Sequence, residues 1–362
     1  MEASGRIRVG VNGYGAIGKR VADAVAVQRD MTLVGVADVA ADWRLKVAED
    51  KRITLFGGDA DAVTSMRAAG LRPRGVLDDL VGDVDVVVDC TPKGVGARNA
   101  ERYRETGVRF VVQGGEEHQV TGHSFVAEAN YASAVAREST RVVSCNTTSI
   151  VRTLGALDGA GLLVRARGTL LRRATDPWES HLGGIMNTVV PEAEVPSHQA
   201  ADARTVLPEL DVATVAVKVP DTLGHVHVWT IDLTRAVTRE EILAALDASG
   251  RIARVPGGEG LLALNAVKEL ASDLGRPRGD IYEVVVWDET TVVVGRELHL
   301  TYMVDNQAIV VPETVDAVRA LSGRMEDAGR SMEATDEALG VRAGPWGRKA
   351  ERTANTRRAR NR

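Results

Sequence analysis

The sequence predicts an α/β protein in two parts: an N-terminal Rossmann-type, doubly wound parallel sheet, then a second α+β unit built on a mixed sheet. Three observations predict it. A Gly-x-Gly-x-x-Gly run, Gly13 to Gly18, follows a β-branched segment and precedes a helical one. Strand-like and helix-like segments alternate through residue 144. Beyond about residue 151 the strand-like runs come in close succession. At 362 residues the chain exceeds one ordinary domain, and a hydrophobic content of 44% supplies two cores.

The first strand, Arg6 to Val11, leads into the glycine run, and an Ala/Val-rich helix covers Lys19 to Gln28. A second strand, Met31 to Ala37, ends at Asp38, twenty residues past the last glycine. That context marks a dinucleotide site. Gly13 allows the tight turn, Gly15 lets backbone approach a pyrophosphate, and Gly18 lets helix and strand pack closely. The helix N-terminus offers unpaired N–H groups and a positive dipole end to the anion. Asp38 suits the ribose hydroxyls of NAD and repels the 2′-phosphate of NADP, with Arg44 close enough in sequence to soften that preference. NAD is therefore the expected coenzyme, with NADP as the second choice.

Further strands are expected at 84–90, 108–113 and 140–144. Cys90 ends the buried run Val84 to Asp89 and reads as a packing residue. Cys145 follows the last strand and is followed by Asn146, Thr147 and Thr148, which places an exposed thiol at a strand end among small polar donors. Such a thiol can attack an aldehyde, because the thiolate is the nucleophile and nearby donors hold the oxyanion. In the second unit strands are expected at 169–173, 214–219, 226–233, 281–287, 290–294 and 297–304. His225 and His227 lie two apart in one extended run and share a face; two ligands without a cysteine neighbour make no metal site. From Pro312, apolar residues at Val315, Val318, Leu321, Met325, Ala328, Met332 and Leu339 predict one amphipathic helix.

Two cysteines are too few for a disulfide framework and suit an intracellular protein. The first strand begins within ten residues of the start, and no apolar run reaches the ~18–20 residues of a membrane span. A cytoplasmic location is expected. The net charge of −5 is uneven: residues 341–362 carry +7, leaving −12 on the rest. That basic tail is expected to be disordered and solvated, with no nucleic-acid partner.

Several blocks together resemble the archaeal-type, or type II, phosphorylating glyceraldehyde-3-phosphate dehydrogenase family. They are Val11 to Ala24, Asp89-Cys-Thr-Pro-Lys-Gly-Val-Gly-Ala97, Gln113-Gly-Gly-Glu116, Val143-Ser-Cys-Asn-Thr-Thr148 and Arg172-Arg173 with Asp176-Pro177. Pro196-Ser-His198, Val219 to His227 and Val311 to Arg319 complete the set, over residues 6–340. The resemblance implies that Cys145 is the nucleophile and His225 its partner. It implies cofactor contacts at Ala16, Ile17, Gly115, Arg173 and Asn306, and substrate contacts at Ser144, Cys145, Asn146, Gln199 and Ala200. It also implies a homotetramer, and a C-terminal helix that packs back on the nucleotide domain.

The chain departs from the family pattern at three places. Gln199-Ala200 stands where His-Gly is usual, Ser149 replaces a glycine, and Asp305-Asn306, with Gln307 next to them, replaces a His-Gln pair. The Gln199-Ala200 change raises one alternative, a dehydrogenase of another phosphorylated aldehyde such as erythrose 4-phosphate; a reading of a different class is a non-catalytic NAD-binding redox sensor, against which Cys145 and His225 argue.

The expected division is 1–144 for NAD(P), 145–305 for catalysis, 306–340 for the returning helix and 341–362 for the tail. In the expected chemistry, the imidazole of His225 takes the thiol proton, since a free thiol is only a few per cent ionised at neutral pH. The thiolate adds to the aldehyde, a hydride passes to the nicotinamide, and inorganic phosphate cleaves the thioester. Arg172, His198, Thr147 and Thr148 are the candidate phosphate donors, although Arg172 and Arg173 also fit a solvated charge pair on a strand. The Asp38 reading predicts a higher kcat/KM with NAD than with NADP, and a ratio that falls in Asp38→Ala; steady-state kinetics with both coenzymes checks it.

Overall fold

The computed structural model describes residues 5–113 and 115–346. Two sheets organise it. The first contains β1 (Ile7–Asn12), β2 (Met31–Asp38), β3 (Leu55–Gly57), β4 (Gly75–Val76), β5 (Val86–Asp89), β6 (Arg109–Val112), β7 (Ser124–Phe125) and β8 (Ser139–Val142). The second contains β9 (Leu163–Arg173), β10 (Val190–Pro191), β11 (Val212–Val219), β12 (His225–Leu233), β13 (Ile252–Val255), β14 (Val284–Trp287), β15 (Val292–Val294), β16 (Glu297–Val304) and β17 (Gly344–Pro345).

The helices are α1 (Ala16–Ala26), α2 (Trp43–Asp50), α3 (Ala60–Ala68), α4 (Leu77–Gly82), α5 (Val95–Thr106) and α6 (Ala127–Ala134). They continue as α7 (Cys145–Gly159), α8 (His198–Ala203), α9 (Arg239–Asp247), α10 (Leu264–Asp273), α11 (Val310–Ser322) and α12 (Ala328–Leu339). None of the described helices is long and apolar enough to cross a membrane.

The first sheet is parallel throughout, in the order β4-β3-β2-β1-β5-β6-β8-β7. Its central strands are buried on both faces, as continuous Val-rich runs require. The order runs outward both ways from β1 and β5, so their carboxyl ends form the switch point where ligands bind in such sheets. The expected doubly wound sheet is present. The short strands β3, β4 and β7 carry too few residues to leave a periodic signal.

The second sheet is mixed, as expected: β9 and β11 run parallel, whereas β12 runs antiparallel to both β9 and β16. Along β12, His225, His227, Trp229, Ile231 and Leu233 point to the buried face. Helix α7 packs on β9, β14 and β16 and also touches α6 of the first unit.

The C-terminal region differs from the expected single amphipathic helix. Gly323, at φ 69°, ends α11, and Asp327 caps α12 by accepting from the N–H of Arg330 (2.9 Å). Moreover, α11 is buried on every side from Val310 to Leu321, packed against α1, α6, β5, β6 and β8. Its polar stripe faces partners instead of water. Glu313 accepts from Arg152 (Nη2, 2.5 Å) on α7, from Arg251 (Nη1, 3.2 Å) and from the N–H of Ala127 (2.6 Å). Asp316 accepts from Arg251 (2.5 Å), Ser331 (2.7 Å) and Thr335 (2.6 Å), while Arg319 donates to Asp30 and Gln28. Buried charges persist only when paired in this way.

The expectation of a disordered tail from 341 is also corrected. Gly344–Pro345 forms β17 beside β13, and Trp346 is buried, donating its Nε1–H to the carbonyl of Arg342 (2.9 Å). An aromatic ring able to fill a site under the guanidinium of Arg276 outweighs the local positive charge. The remainder of that tail, 347–362, lies outside the described residues.

Asp336 also faces Arg251, at 2.9 Å, yet burial pushes its pKa up to about 6, with the charge of Asp316 adding to the rise. Between its ordinary value and 6 the folded state holds a proton that the unfolded chain does not. Ionised Asp336 thus opposes folding at neutral pH by about 3 kcal/mol; acidification to pH ~5 relieves about half of this, and the rest goes below pH ~4. Asp336→Asn is expected to raise the thermal midpoint at pH ~7.5 and to raise it only about half as much at pH ~5; calorimetry at the two pH values checks it.

Candidate active site

At the switch point, the turn 13–15 packs tightly on the end of β5. Gly13 has φ 90°, and a Cβ there would sit 2.9 Å from the carbonyl of Cys90. A Cβ on Gly18 would meet the carbonyl oxygen of Gly13 at 1.7 Å, so helix and turn touch only because both residues are glycine. Gly15 is different. Its Cβ position is open, with only an Arg44 nitrogen 4.0 Å away, and it caps α1 with no side chain occupying the helix N–H groups. The turn therefore leaves a cradle that suits a diphosphate.

Beneath it, the buried Asp89 accepts from Asn12 (3.2 Å), Asn99 (2.8 Å) and Tyr103 (2.8 Å), which fixes the ends of β1 and β5. Asp38, at the end of β2, accepts from the N–H groups of Tyr14 (2.7 Å) and Ala40 (2.8 Å). Arg44 is tied to Asp42 by a fork at 2.7–3.1 Å and stacks over Trp178 of the second unit.

Cys145 opens α7. The strand before it ends at Val142, and Ser144 caps the helix by accepting from the N–H of Thr147 (3.2 Å). The thiol, half-buried, is thus at a helix N-terminus and not at a strand end. Burial pushes its pKa up, while Arg173, Arg172 and the N–H of Asn146 pull the other way. Its Sγ lies 3.4 Å from Nε2 of His225. Nδ1 of His225 accepts from the main-chain N–H of Arg173 at 3.0 Å. Burial, then His227, Arg173 and Arg172, hold His225 well below the ordinary histidine pKa. His227 is fully buried, with Tyr302 OH 3.0 Å from Nδ1 and Asn146 Oδ1 2.9 Å from Nε2; burial brings its pKa down to about 3.

Around this pair, Arg172 is salt-bridged to Glu192. Asp176 gathers Arg173 (3.2 Å), Asn306 (3.3 Å) and Gln307 (2.7 Å). Buried Arg172 Nε, Arg173 Nε and Asn306 Oδ1 have no partner among the described residues, which leaves hydrogen-bonding capacity for a ligand. The Arg44–Trp178 stack links this segment to the nucleotide turn. The segment 173–178 thus borders the thiol–imidazole pair through Arg173 and the nucleotide turn through the Trp178–Arg44 stack.

Residues 144–302 match the family model described as glyceraldehyde 3-phosphate dehydrogenase, C-terminal domain. Residues 7–146 match that described as dihydrodipicolinate reductase, N-terminus. Full-length relatives decide between the two. The glyceraldehyde-3-phosphate dehydrogenase of Methanopyrus kandleri is 45% identical over 347 residues, covering 94% of this chain and 99% of the relative. That of Metallosphaera sedula is 43% identical over 338 residues, covering 93% and 99%. The chain belongs to the glyceraldehyde-3-phosphate dehydrogenase family. It is an oxidoreductase with a nicotinamide-dinucleotide fold, and the second match reflects the N-terminal unit alone.

For a glyceraldehyde-3-phosphate dehydrogenase, the residues singled out from sequence fall into two groups. Gly13, Gly15, Ala16, Ile17, Gly18 and Asp38 line or brace the turn, Cys145 and His225 touch, and Arg172, Arg173 and Asn306 stand around them. His198 is exposed at the start of α8, and partial desolvation lowers its pKa. Gly115 is exposed beside Lys93.

Others are committed elsewhere. Thr147 and Thr148 are fully buried and donate inward, Thr147 to Asp202 (2.7 Å) and Thr148 to the carbonyl of Val143 (3.5 Å), so neither hydroxyl is a phosphate donor here. They lie on the inner side of the first turn of α7. Asn146 spends its Oδ1 on His227. Gln199 and Ala200 are closed off from solvent, so neither side chain reaches a substrate in this structure; the amide of Gln199 has no partner.

Sequence reasoning passed over Asp202, Asp89 and Glu192. Single acidic residues among fifty carry no positional signal. Asp202 also takes the buried Arg141 at 2.5 Å. Asp202→Ala strands that guanidinium and frees the first turn of α7, so a stability loss of about 3–5 kcal/mol is expected together with a lower kcat. Denaturant midpoints and steady-state rates check it.

Proposed function

We propose that the chain catalyses the NAD-dependent, phosphorylating oxidation of D-glyceraldehyde 3-phosphate to 1,3-bisphosphoglycerate through a thioester on Cys145. The observation that carries this reading is the Cys145–His225 contact at the N-terminus of α7. Residues 1–144 hold the coenzyme, residues 145–305 carry the chemistry, and α11 braces the first sheet from behind.

Gly13 to Gly18 take the diphosphate, and Asp38 the adenosine ribose. Gly115, Arg173 and Asn306 lie on the nicotinamide side. The bound coenzyme supplies the hydride acceptor. Asp38 favours NAD: its carboxylate stands at the end of β2, and Arg44, whose guanidinium approaches Gly15, is already forked to Asp42. Preference for NAD follows from that arrangement.

Cys145 forms the bond to the aldehyde carbon. The dipole of α7 and the Nε2–H of His225 stabilise the sulfur and the oxyanion that follows. Arg172 and His198 are placed for the anionic groups of substrate and inorganic phosphate. Glu192 must release Arg172 for that, an exchange of one anion for another. The relatives' shared name supports the substrate, and the unpartnered Nε atoms of Arg172 and Arg173 support an anion in the cleft.

NADH formation from glyceraldehyde 3-phosphate and NAD, measured with and without phosphate, is expected to depend on phosphate and to vanish in Cys145→Ala. Phosphate-independent turnover would mean that water cleaves the thioester, and no turnover at all would defeat the reading.

A further inference from the structure

The guanidinium of Arg44 is committed on one edge only. Its Nε donates to both carboxylate oxygens of Asp42 (3.1 and 3.0 Å) and its Nη2 to one of them (2.7 Å). Asp42 is itself fixed as the cap of α2, accepting from the main-chain N–H of Arg44 at 2.9 Å. The remaining nitrogen, Nη1, has no hydrogen-bond partner among the described residues. It stands 4.0 Å from the Cβ position of Gly15, which is otherwise open. One face of the same group is covered by the ring of Trp178, 5.8 Å from Cζ. A carboxylate on its edge and a ring on its face therefore hold Arg44, with both Nη1 hydrogens left over at the glycine turn.

The neighbouring charges point the same way. Arg20 is paired with Asp280 (2.9 Å) and Arg278 with Asp23 (2.7 Å). Lys19, half-buried near the start of α1, lies with Nζ 5.7 Å from the centre of the Trp43 ring and pairs with no carboxylate among the described residues. Burial, then Arg20, Arg278 and Arg44, draws its pKa down, with Asp280 opposing them. An anion bound at the turn relieves that repulsion.

Resting on the dinucleotide site proposed above, we propose that Arg44 is a further coenzyme-binding residue, whose Nη1 donates to the diphosphate on the glycine turn, and that Trp178 is the positioning residue that holds it there. With Nε and Nη2 spent on Asp42, a 2′-phosphate would meet no open fork on this side chain. This departs from the expectation that Arg44 softens the preference for NAD. The stack also joins the two units across the coenzyme. Trp178 lies two residues past Asp176, which gathers Arg173, Asn306 and Gln307. One short segment of the second unit thus reaches both the diphosphate and the groups on the nicotinamide side.

The test is calorimetric titration of the full-length protein with NAD, NADP and ADP-ribose, which share the diphosphate and differ at the 2′-phosphate and the nicotinamide. Arg44→Ala is expected to raise Kd by at least about tenfold for all three, as loss of a hydrogen bond to a charged group requires. Loss confined to NADP would assign Arg44 to the 2′-phosphate, and loss for NAD and NADP but not ADP-ribose would assign it to the nicotinamide end; either overturns the inference. So does an unchanged Kd for all three. Trp178→Ala is expected to raise Kd about two- to fivefold, as loss of a cation–π contact does, with Trp178→Phe restoring most of it. In the Arg44→Ala background Trp178→Ala should then cost nothing more; a full further loss would show that the ring acts apart from Arg44 and overturn its positioning role. Melting of the free variants near the wild-type midpoint separates these effects from misfolding. Binding is read without turnover, so failure of the thioester chemistry leaves the result intact, whereas wild-type protein that bound none of the three would defeat the dinucleotide reading and this one together.

Discussion

Glu313 is the contact on which the arrangement of the two units depends. It sits fully buried on α11, which lies against the first sheet, and binds arginines from the second unit: Arg152 on α7 and Arg251 just before β13. A carboxylate in that position is tolerated only because two guanidinium groups and the N–H of Ala127 satisfy it, and burial of the arginines is tolerated only because of the carboxylate. Each component therefore requires the others. Arg152 stands seven residues after Cys145 on the same helix, two turns along, so both project from nearly the same side. The ion cluster thereby fixes the rotation and height of α7, and with them the position of the sulfur relative to the glycine turn.

Around that anchor, the site is assembled mainly from main-chain groups and secondary-structure ends. The cradle at Gly15, the amide of Arg173 and the start of α7 all present backbone dipoles, which cannot drift in the way that long side chains can. The side chains that do take part are held from behind. His225 is oriented by Arg173, and Asp89 ties down the ends of β1 and β5. Below His225, the chain Asn146–His227–Tyr302 forms a fully buried floor whose hydrogen bonds are internally satisfied.

What the sequence made legible follows from how local each signal is. The glycine run, the strand before it and Asp38 lie within about thirty residues, and every one of them has a local steric or electrostatic reason. Cys145 was visible through its small polar neighbours. The break at Gly323 was hidden because apolar residues keep their spacing across it, through Met325 and Ala328. The burial of Glu313, Asp316 and Arg319 was hidden because a polar stripe reads as a solvated face unless its partners, 15 to 291 residues away, are known. Thr147 and Thr148 misled for a related reason: the same hydroxyl that can face a ligand can turn inward to Asp202 or to a carbonyl. Trp346 lay in a segment whose charge suggested solvent, and only a tertiary site made by Arg276 explains its burial.

The position of α11 bears on how this chain is made. The first sheet is complete in strands by Val142, but the helix that covers its back does not begin until Val310. At ordinary translation rates of about 5–20 residues per second, roughly ten to thirty seconds separate the two. During that interval the nascent nucleotide unit must carry an apolar face with nothing on it, while the second unit emerges behind it. The dinucleotide fold is thus first in sequence but among the last parts of the molecule to be finished, and the ribosome-bound intermediate has a natural claim on a chaperone.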